Sequence, residues 1–210
     1  MSALAKPNAI EAVVFDVGRV LVEWDMRLLF AKLIDDPARL DWFLANVVTE
    51  TWHFEHDAGR DLGEMVAARK AEFPGNDDLL DAYATRFNET IPGPVPGSHA
   101  IVRELAGRGV PLFAITNFAT SFWRAFRAGE PLFDLFGDIV VSGDEKIAKP
   151  DPRLFDLAAA RFGHEPAAML FIDDNAANVS SAEALGWQVH HFRDALALRA
   201  ELVGRGLLEG

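Results

Sequence analysis

Polar residues that could do chemistry stand at or shortly after the ends of apolar runs in this sequence. Several carboxylates gathered in one place repel one another unless a cation lies among them. Oxygen donors of this kind suit a hard cation such as Mg²⁺, and a lysine and a hydroxyl beside it could bind the oxygens of a phosphoryl group. These residues are Asp16, Thr116, Asn117, Lys149, Asp173 and Asp174.

The apolar runs themselves predict how these residues are positioned. The run before Asp16 is short and rich in Val, which is typical of a strand buried on both faces in a parallel sheet. From residue 98 onward, strand-like and helix-like patterns alternate, and this alternation predicts a parallel sheet with helices on both faces. Ligands bind beyond the carboxyl ends of such strands. On its own, however, Asp16 could equally cap a turn with the help of Gly18.

A long helical segment interrupts this alternation after the first strand. Apolar residues recur at three- and four-residue spacing between Trp24 and Thr90, and nothing there is typical of a strand. Asp36-Pro37 is a good helix start, and the Pro/Gly-rich residues 91–97 mark the return to the core. We therefore predict a three-layer, Rossmann-like α/β core (1–23 and 95–210) with a helical cap (24–94, the cap segment) inserted after the first strand.

Composition excludes several classes of protein. The chain has 210 residues, a formal charge of −12 and no cysteine. The negative charge argues against nucleic acid and anionic membranes as partners, and the lack of cysteine excludes thiolate chemistry. No apolar run reaches the roughly 20 residues of a membrane helix, and Met1–Asn8 lacks the apolar core of a signal peptide. We therefore predict a cytoplasmic protein; its oligomeric state does not follow from the sequence.

The order of these motifs resembles that of the haloacid dehalogenase (HAD) superfamily. Asp16, in the run Phe15-Asp16-Val17-Gly18-Arg19, resembles the nucleophile of the first motif, and the cap segment resembles the insert of the capped branch. Within that branch, the Asp-x-Gly motif and two aromatic pairs resemble sugar-phosphate phosphatases of the glucose-1-phosphate type. The other matching positions are Thr116-Asn117 (second motif), Lys149 before Pro150 (third motif), Asp173-Asp174 (fourth motif), and the pairs Trp52-His53 and Phe122-Trp123.

The resemblance implies a phosphoric monoester hydrolase. Asp16 would attack phosphorus to form an aspartyl-phosphate, which water then hydrolyses. Mg²⁺ would be held by Asp16, Asp173 and the carbonyl of Gly18, while Thr116 and Lys149 neutralise phosphoryl oxygens.

The same resemblance implies supporting roles for the remaining site residues. Asp174 would orient Lys149 or a water on the metal. Asn117, Arg19, Trp52 and His53 are candidates for binding the phosphorylated small-molecule substrate, although Trp52 belongs to an aromatic cluster that could equally be cap core.

One position departs from the family pattern. Most phosphatases of this family carry a second aspartate, a general acid and base, where this chain has Gly18. A proton donor of that kind is typically worth about 10²–10⁴-fold in rate. Either a cap residue such as His53, Glu55 or His56 supplies the proton, or the leaving group needs little help, as with a sugar 1-phosphate. Arg19 replaces a usually small residue and either reaches the substrate or points to solvent.

The sequence is also compatible with two other functions. One is a metal-free 2-haloacid dehalogenase, in which the same aspartate attacks carbon; those enzymes have Ser at the position of Asp173, and a further anion would oppose a carboxylate substrate. The other is a non-catalytic protein of this fold that binds a phosphorylated metabolite without turnover, which the missing acid at Gly18 would explain.

Overall fold

The computed structural model describes residues 9–210, which contain a five-stranded, wholly parallel sheet. The strand order is β3-β2-β1-β4-β5, so the strand that leads to Asp16 lies at the centre. The predicted absence of a signal peptide concerns Met1–Asn8, outside the described residues. The strands are β1 (Ala12–Phe15), β2 (Leu112–Thr116), β3 (Asp138–Val141), β4 (Met169–Asp173) and β5 (Gln188–His191).

Both faces of the sheet are buried under helices. Val13 and Phe15 face one core together with apolar residues of two helices, whereas Ala12 and Val14 face a second core. All four side chains have no exposed surface, which explains the unbroken apolar sequence of β1. The predicted three-layer α/β fold is confirmed. The first core is covered by α6 (Ser98–Gly107) and α11 (Ala195–Gly204), and the second by α9 (Pro152–Phe162) and α10 (Ala176–Ala184).

The segment between β1 and α6 is helical, as its periodicity predicts. It holds five helices, one of which is a single turn that is too short to show a periodic apolar pattern. Asp36 caps the second, accepting a hydrogen bond from the backbone N–H of Ala38 at 3.1 Å. The division into domains at residues 24 and 94 stays a prediction. The helices are α1 (Arg27–Phe30), α2 (Pro37–Asn46), α3 (Glu50–Asp57), α4 (Leu62–Glu72) and α5 (Asp77–Arg86), followed by a 3-10 turn (Phe87–Thr90).

The two chain segments that enter and leave this helical region run side by side. The N–H of Glu23 donates to the carbonyl of Gly93 at 2.9 Å, and the N–H of Val95 donates to the carbonyl of Leu21 at 3.0 Å. This pairing ties both connections to the chain just after β1, so the helical region is held above the end of the central strand. The remaining elements are α7 (Thr120–Arg127), α8 (Ser142–Glu145) and two 3-10 turns (Pro131–Leu135, Pro166–Ala168).

Among residues 9–210, no helix combines the length and apolar character that crossing a bilayer requires.

A bidentate ion pair outside the site gives a testable dependence of stability on pH. Arg161 donates to both carboxylate oxygens of Asp138, at 2.8 and 2.6 Å, and thereby lowers the pKa of Asp138 from its usual 3.8. A lowered carboxyl pKa stabilises the fold above the unfolded-state pKa, and this contribution disappears as the pH falls through the folded-state value. Because both side chains are about one-third exposed, solvent screening limits the pair to about 1 kcal/mol or less.

We therefore expect Arg161→Gln to lower the melting temperature at pH 5–7 and to lose its effect towards pH 2.5. Thermal unfolding followed by circular dichroism across this range measures the difference. The control is Arg124→Gln, because that exposed guanidinium lies 4.0 Å from Asp144. An Arg161→Gln effect of constant size at every pH would contradict the assignment.

Candidate active site

A buried lysine joins the polar groups at the carboxyl edge of the sheet. The Nζ of Lys149 lies 2.8 Å from Oδ1 of Asp16 and 2.7 Å from Oδ2 of Asp173, and it donates to the carbonyl of Ile115 at 2.8 Å. The side chain is only 1% exposed. An ammonium has three donors, and each has an acceptor here, so residues from three parts of the sequence meet at one point, as expected.

The carboxylate of Asp173 is fully buried and accepts hydrogen bonds from several groups. The side-chain amide of Asn178 donates to both carboxylate oxygens, at 3.1 and 3.0 Å, and the N–H of Asn175 donates to Oδ1 at 2.8 Å. Asn175 also caps α10 through the N–H of Ala177. The start of α10 therefore fixes the carboxylate through two asparagines.

Asn117 positions the loop that carries Lys149. Its side-chain amide donates to the carbonyl of Lys149 at 2.9 Å, and its side-chain oxygen accepts from the N–H of Lys149 at 2.8 Å. Asn117 also lines the cleft described below. Both of its amide groups are thus used on the backbone of the lysine, which differs from the predicted substrate contact.

Thr116 ends β2 and is 1% exposed. Its hydroxyl makes no hydrogen bond to any residue within 9–210, and the residue is not in the cleft lining. Its predicted contact with a phosphoryl oxygen stays a prediction.

Burial and mutual repulsion shift the pKa values of these groups. Burial raises the pKa of Asp16 to about 7, because the opposing charge of Lys149 does not fully offset it and Asp173 adds repulsion. Burial also raises the pKa of Asp174, again with repulsion from Asp173. Burial opposes the charge on Lys149, but Asp16 and Asp173 outweigh it and raise the pKa of the ammonium. The edge of the sheet therefore carries more negative charge than its one lysine balances.

The donor set fits a hard divalent cation. Asp16, Asp173 and Asp174 each offer a carboxylate oxygen, and these three oxygens lie within 4.8 Å of one another. All-oxygen ligands are those that Mg²⁺ prefers, and a cation would relieve the repulsion that raises the carboxyl pKa values. Asp174 therefore joins the candidate ligands. The role predicted for it as a partner of Lys149 is taken by Asp173, because the three lysine donors are already used. The Gly18 carbonyl stays a predicted ligand.

A cleft of about 180 Å³ opens above this edge, between the sheet and the helical segment. Its floor includes Asp16, Lys149 and Asp174, with Gly18 beside them. Its walls are mostly apolar on the side of the helical segment, which favours a substrate with an apolar part next to the phosphoryl group. The apolar lining residues are Val22, Trp24, Phe54, Phe87, Ile91 and Phe118.

His53 lies in the wall of the cleft, as a substrate-binding residue should, but both ring nitrogens already have partners. Nδ1 lies 2.7 Å from the hydroxyl of Tyr83, and Nε2 lies 3.2 Å from Oδ2 of Asp57. The rings of Trp24 and Phe87 stack on the imidazole at centroid distances of 5.3 and 4.9 Å. No nitrogen is left to donate a proton to a leaving group.

Arg19 and Trp52, the other predicted substrate residues, lie in different surroundings. Arg19 has a left-handed backbone (φ 60°), lines the cleft, stacks its guanidinium over Trp24 at 4.7 Å and pairs with Glu50. It thus bridges the core and α3. Trp52 is outside the cleft lining and packs against Tyr83 at 4.9 Å, which corresponds to the alternative of cap core.

The other two cap residues considered as proton donors are also engaged elsewhere. Glu55 forms an ion pair with Arg60. The Nδ1 of His56 lies 2.8 Å from the carbonyl of Arg60, and His56 is not in the cleft lining. The residue that sequence reasoning missed is Asp57, which does line the cleft. Its position four residues after His53 on one helical face was the available signal.

This geometry agrees with a comparison against known families. The model of the family described as haloacid dehalogenase-like hydrolase matches residues 10–186 of the chain. The chain belongs to this family. The match spans β1 to the end of α10, so it includes every residue at the sheet edge.

Curated relatives and solved structures point in the same direction. A sesquiterpene phosphatase (astK) from Aspergillus oryzae is 28% identical over 204 residues, covering 93% of this chain and 96% of the relative. A phosphoglycolate phosphatase from Yersinia pseudotuberculosis is 28% identical over 195 residues, covering 87% and 81%. The HAD family enzyme bt-2542 from Bacteroides thetaiotaomicron, solved as a magnesium complex, shares the fold (TM-score 0.69, 20% identity, 89% and 95% covered). Family and relatives support the predicted phosphoric monoester hydrolase.

The bridge from Asn117 to Lys149 gives a prediction for this site. Asn117→Ala removes both hydrogen bonds, so we expect a loss of about 1–3 kcal/mol in the free energy of unfolding and a fall in kcat on 4-nitrophenyl phosphate, because the lysine loop is no longer fixed. Urea denaturation and steady-state kinetics measure the two effects. The control is Ser181→Ala, which removes a hydrogen bond to the carbonyl of Pro150 in the same loop. Unchanged kcat in Asn117→Ala would contradict the positioning role.

Proposed function

We propose that this HAD-like hydrolase is a Mg²⁺-dependent phosphatase that cleaves a small phosphate monoester through an aspartyl-phosphate on Asp16. The observation that carries the proposal is the contact of the Asp16 carboxylate with Lys149 inside a group of three carboxylates. A nucleophile, a fixed cation and a set of oxygen ligands for a metal thus share one edge of the sheet.

The residues take distinct roles in the proposed reaction. An oxygen of Asp16 attacks phosphorus, the bond from phosphorus to the leaving oxygen breaks, and water then releases phosphate from Asp16. Lys149 favours the ionised form of Asp16 and would attract phosphoryl oxygens, with the hydroxyl of Thr116 as a further donor. Asp16, Asp173 and the carbonyl of Gly18, with Asp174 nearby, would hold Mg²⁺, which would supply positive charge to offset the charge of the phosphoryl group.

The same arrangement disfavours the metal-free dehalogenase that the sequence left open. Asp173 is fully buried next to Asp16 and Lys149, and a second carboxylate there would repel a haloacid carboxylate unless a metal offsets it. A non-catalytic binding role has no supporting observation, because the nucleophile and its lysine are in contact. The cytoplasmic location and the absence of nucleic-acid partners stay predictions.

Asp16→Asn tests the nucleophile. This variant keeps the shape of the side chain, so we expect it to fold and to lose phosphatase activity by at least about 10³-fold. The assay measures phosphate release from a panel of monoesters, with and without Mg²⁺, and a metal chelator should abolish the wild-type rate. If the Asp16→Asn variant retained turnover, Asp16 would be excluded as the nucleophile. Chloride release from 2-chloropropionate without metal, with no phosphatase activity, would contradict the proposed function.

Two substrate classes compete for the proposed function. The sequence resemblance favours a sugar phosphate, whereas the apolar cleft walls favour the phosphate of an apolar alcohol, and one phosphatase relative carries the name of a terpene substrate. Burying one CH₂ group contributes about 0.8 kcal/mol, which is roughly fourfold in kcat/KM.

We expect kcat/KM to rise from ethyl to butyl to hexyl phosphate by up to this factor per CH₂ group and to exceed the value for glucose 1-phosphate. Steady-state kinetics on these four compounds measure the series. A flat alkyl series with a higher value for glucose 1-phosphate would instead support the sugar-phosphate class.

A further inference from the structure

A buried carboxylate oxygen in the cleft wall has no hydrogen-bond partner within the part of the chain that the structure describes. Asp57 ends α3, is 6% exposed and lines the same cleft as Asp16 and Lys149. Its Oδ2 lies 3.2 Å from Nε2 of His53, but its Oδ1 makes no hydrogen bond to any residue within 9–210. Leaving a buried carboxylate oxygen unpaired costs free energy. A hydrogen bond between this atom and a bound substrate would remove that cost.

The hydrogen-bond chain behind Asp57 fixes the orientation of that free oxygen. In the arrangement that gives every hydrogen an acceptor, the hydroxyl of Tyr83 donates to Nδ1 of His53, and Nε2–H donates to Oδ2 of Asp57. The stacked rings of Trp24 and Phe87 hold the imidazole between them. His53 is therefore a positioning residue, and Oδ1 of Asp57 is the atom of this chain that is left to exchange a proton with a group bound in the cleft.

The backbone of Asp57 is tied to the sheet edge that carries the nucleophile. The hydroxyl of Ser142, the residue directly after β3, donates to the carbonyl of Asp57 at 2.6 Å. The same hydroxyl accepts from the N–H of Phe118 at 3.0 Å, and Phe118 itself lines the cleft. The backbone at Asp57 is thus held against the core of the protein as well as by the helical segment.

The other acids of the cleft are committed elsewhere. Asp16, Asp173 and Asp174 form the carboxylate group at the sheet edge. Glu50 is exposed and paired with Arg19. Among the residues that line this cleft within 9–210, Asp57 is the remaining carboxyl group.

We propose that Asp57 is the general acid and base for the leaving group, in the role left open by Gly18. The inference rests on the proposed phosphatase function. As Asp16 attacks, the bond between phosphorus and the leaving oxygen breaks, and the proton on Oδ1 of Asp57 passes to that oxygen to give the free alcohol. Asp57, now ionised, takes a proton from the water that attacks the aspartyl-phosphate, which releases phosphate and restores the starting state.

The test compares two leaving groups in Asp57→Asn, which keeps the size of the side chain but cannot exchange the proton. The value of kcat/KM reports the steps through formation of the aspartyl-phosphate. For hexyl phosphate, whose alkoxide needs a proton, we expect it to fall about 10²–10⁴-fold. For 4-nitrophenyl phosphate, whose leaving group departs as the anion, we expect a change below about threefold. The retained activity on the second substrate also reports that the variant is folded.

The outcomes that contradict the proposal are distinct from failure of the proposed function. Equal losses on both substrates would indicate a structural or binding role for Asp57, and no loss on either would exclude it from the reaction. Wild-type protein inactive on both substrates with Mg²⁺ would instead contradict the phosphatase function. Trp52→Phe, a change in the same helix but outside the cleft lining, is the control and should affect both substrates equally and weakly.

A second variant places an acid at the vacant family position. A Cβ at Gly18 would meet nothing within 4 Å, so Gly18→Asp fits without a backbone clash. We expect the double variant Gly18→Asp/Asp57→Asn to regain at least tenfold in kcat/KM on hexyl phosphate relative to Asp57→Asn. If the double variant still turns over 4-nitrophenyl phosphate but its kcat/KM on hexyl phosphate does not recover, the loss of a proton donor does not explain the effect of Asp57→Asn.

Discussion

The contact of one buried ammonium with two carboxylates organises the functional end of this protein. Lys149 is 1% exposed, and its charge is stable there because Asp16, Asp173 and a backbone carbonyl accept its three hydrogens. Removing one partner of such a buried group is costly, because the remaining charge keeps its desolvation penalty. The ends of β1, β2 and β4 and the loop before α9 must therefore keep their relative positions, and the asparagines at 117 and 178 enforce them.

The negative charge that remains at this edge explains its suitability for phosphate chemistry with a metal. Three carboxylates face one lysine, and burial together with repulsion raises the pKa of Asp16 to about 7. A bound divalent cation would favour the ionised nucleophile. The anionic edge then becomes a site for an anionic group, despite a formal charge of −12 for the whole chain, because local charge outweighs the distant field.

The helical segment supplies the other half of the cleft, and specific contacts hold it there. Ser142 binds the backbone of Asp57, and Arg19 pairs with Glu50 on the same helix. Both contacts join α3 to the sheet edge, so the apolar wall and the Tyr83–His53–Asp57 chain keep a fixed relation to the nucleophile. The polar groups of this wall are the buried His53 and Asp57 and the exposed Glu50, and each of them is a determinant of what the cleft accepts.

The sequence alone determined the fold class and the composition of the sheet edge. The unbroken apolar run before Asp16 is typical of a strand buried on both faces, and the alternating patterns after residue 98 predict parallel strands whose ends meet. Short local signals were also reliable where the chemistry is local, as at Asp36, which caps α2. By contrast, the single turn of α1 could not be predicted, because it is too short to show a helical period.

Only the tertiary structure decided which of the polar side chains are free to act. His53, Glu55 and His56 all suit proton transfer by type, but their nitrogens and oxygens are engaged by Tyr83, Asp57 and Arg60. Likewise, the side-chain amide of Asn117 donates one hydrogen bond to the backbone of Lys149 and accepts another from it. Residue type and spacing fix what a group can do, whereas the partners that occupy it come from distant parts of the chain and exist only once the chain has folded.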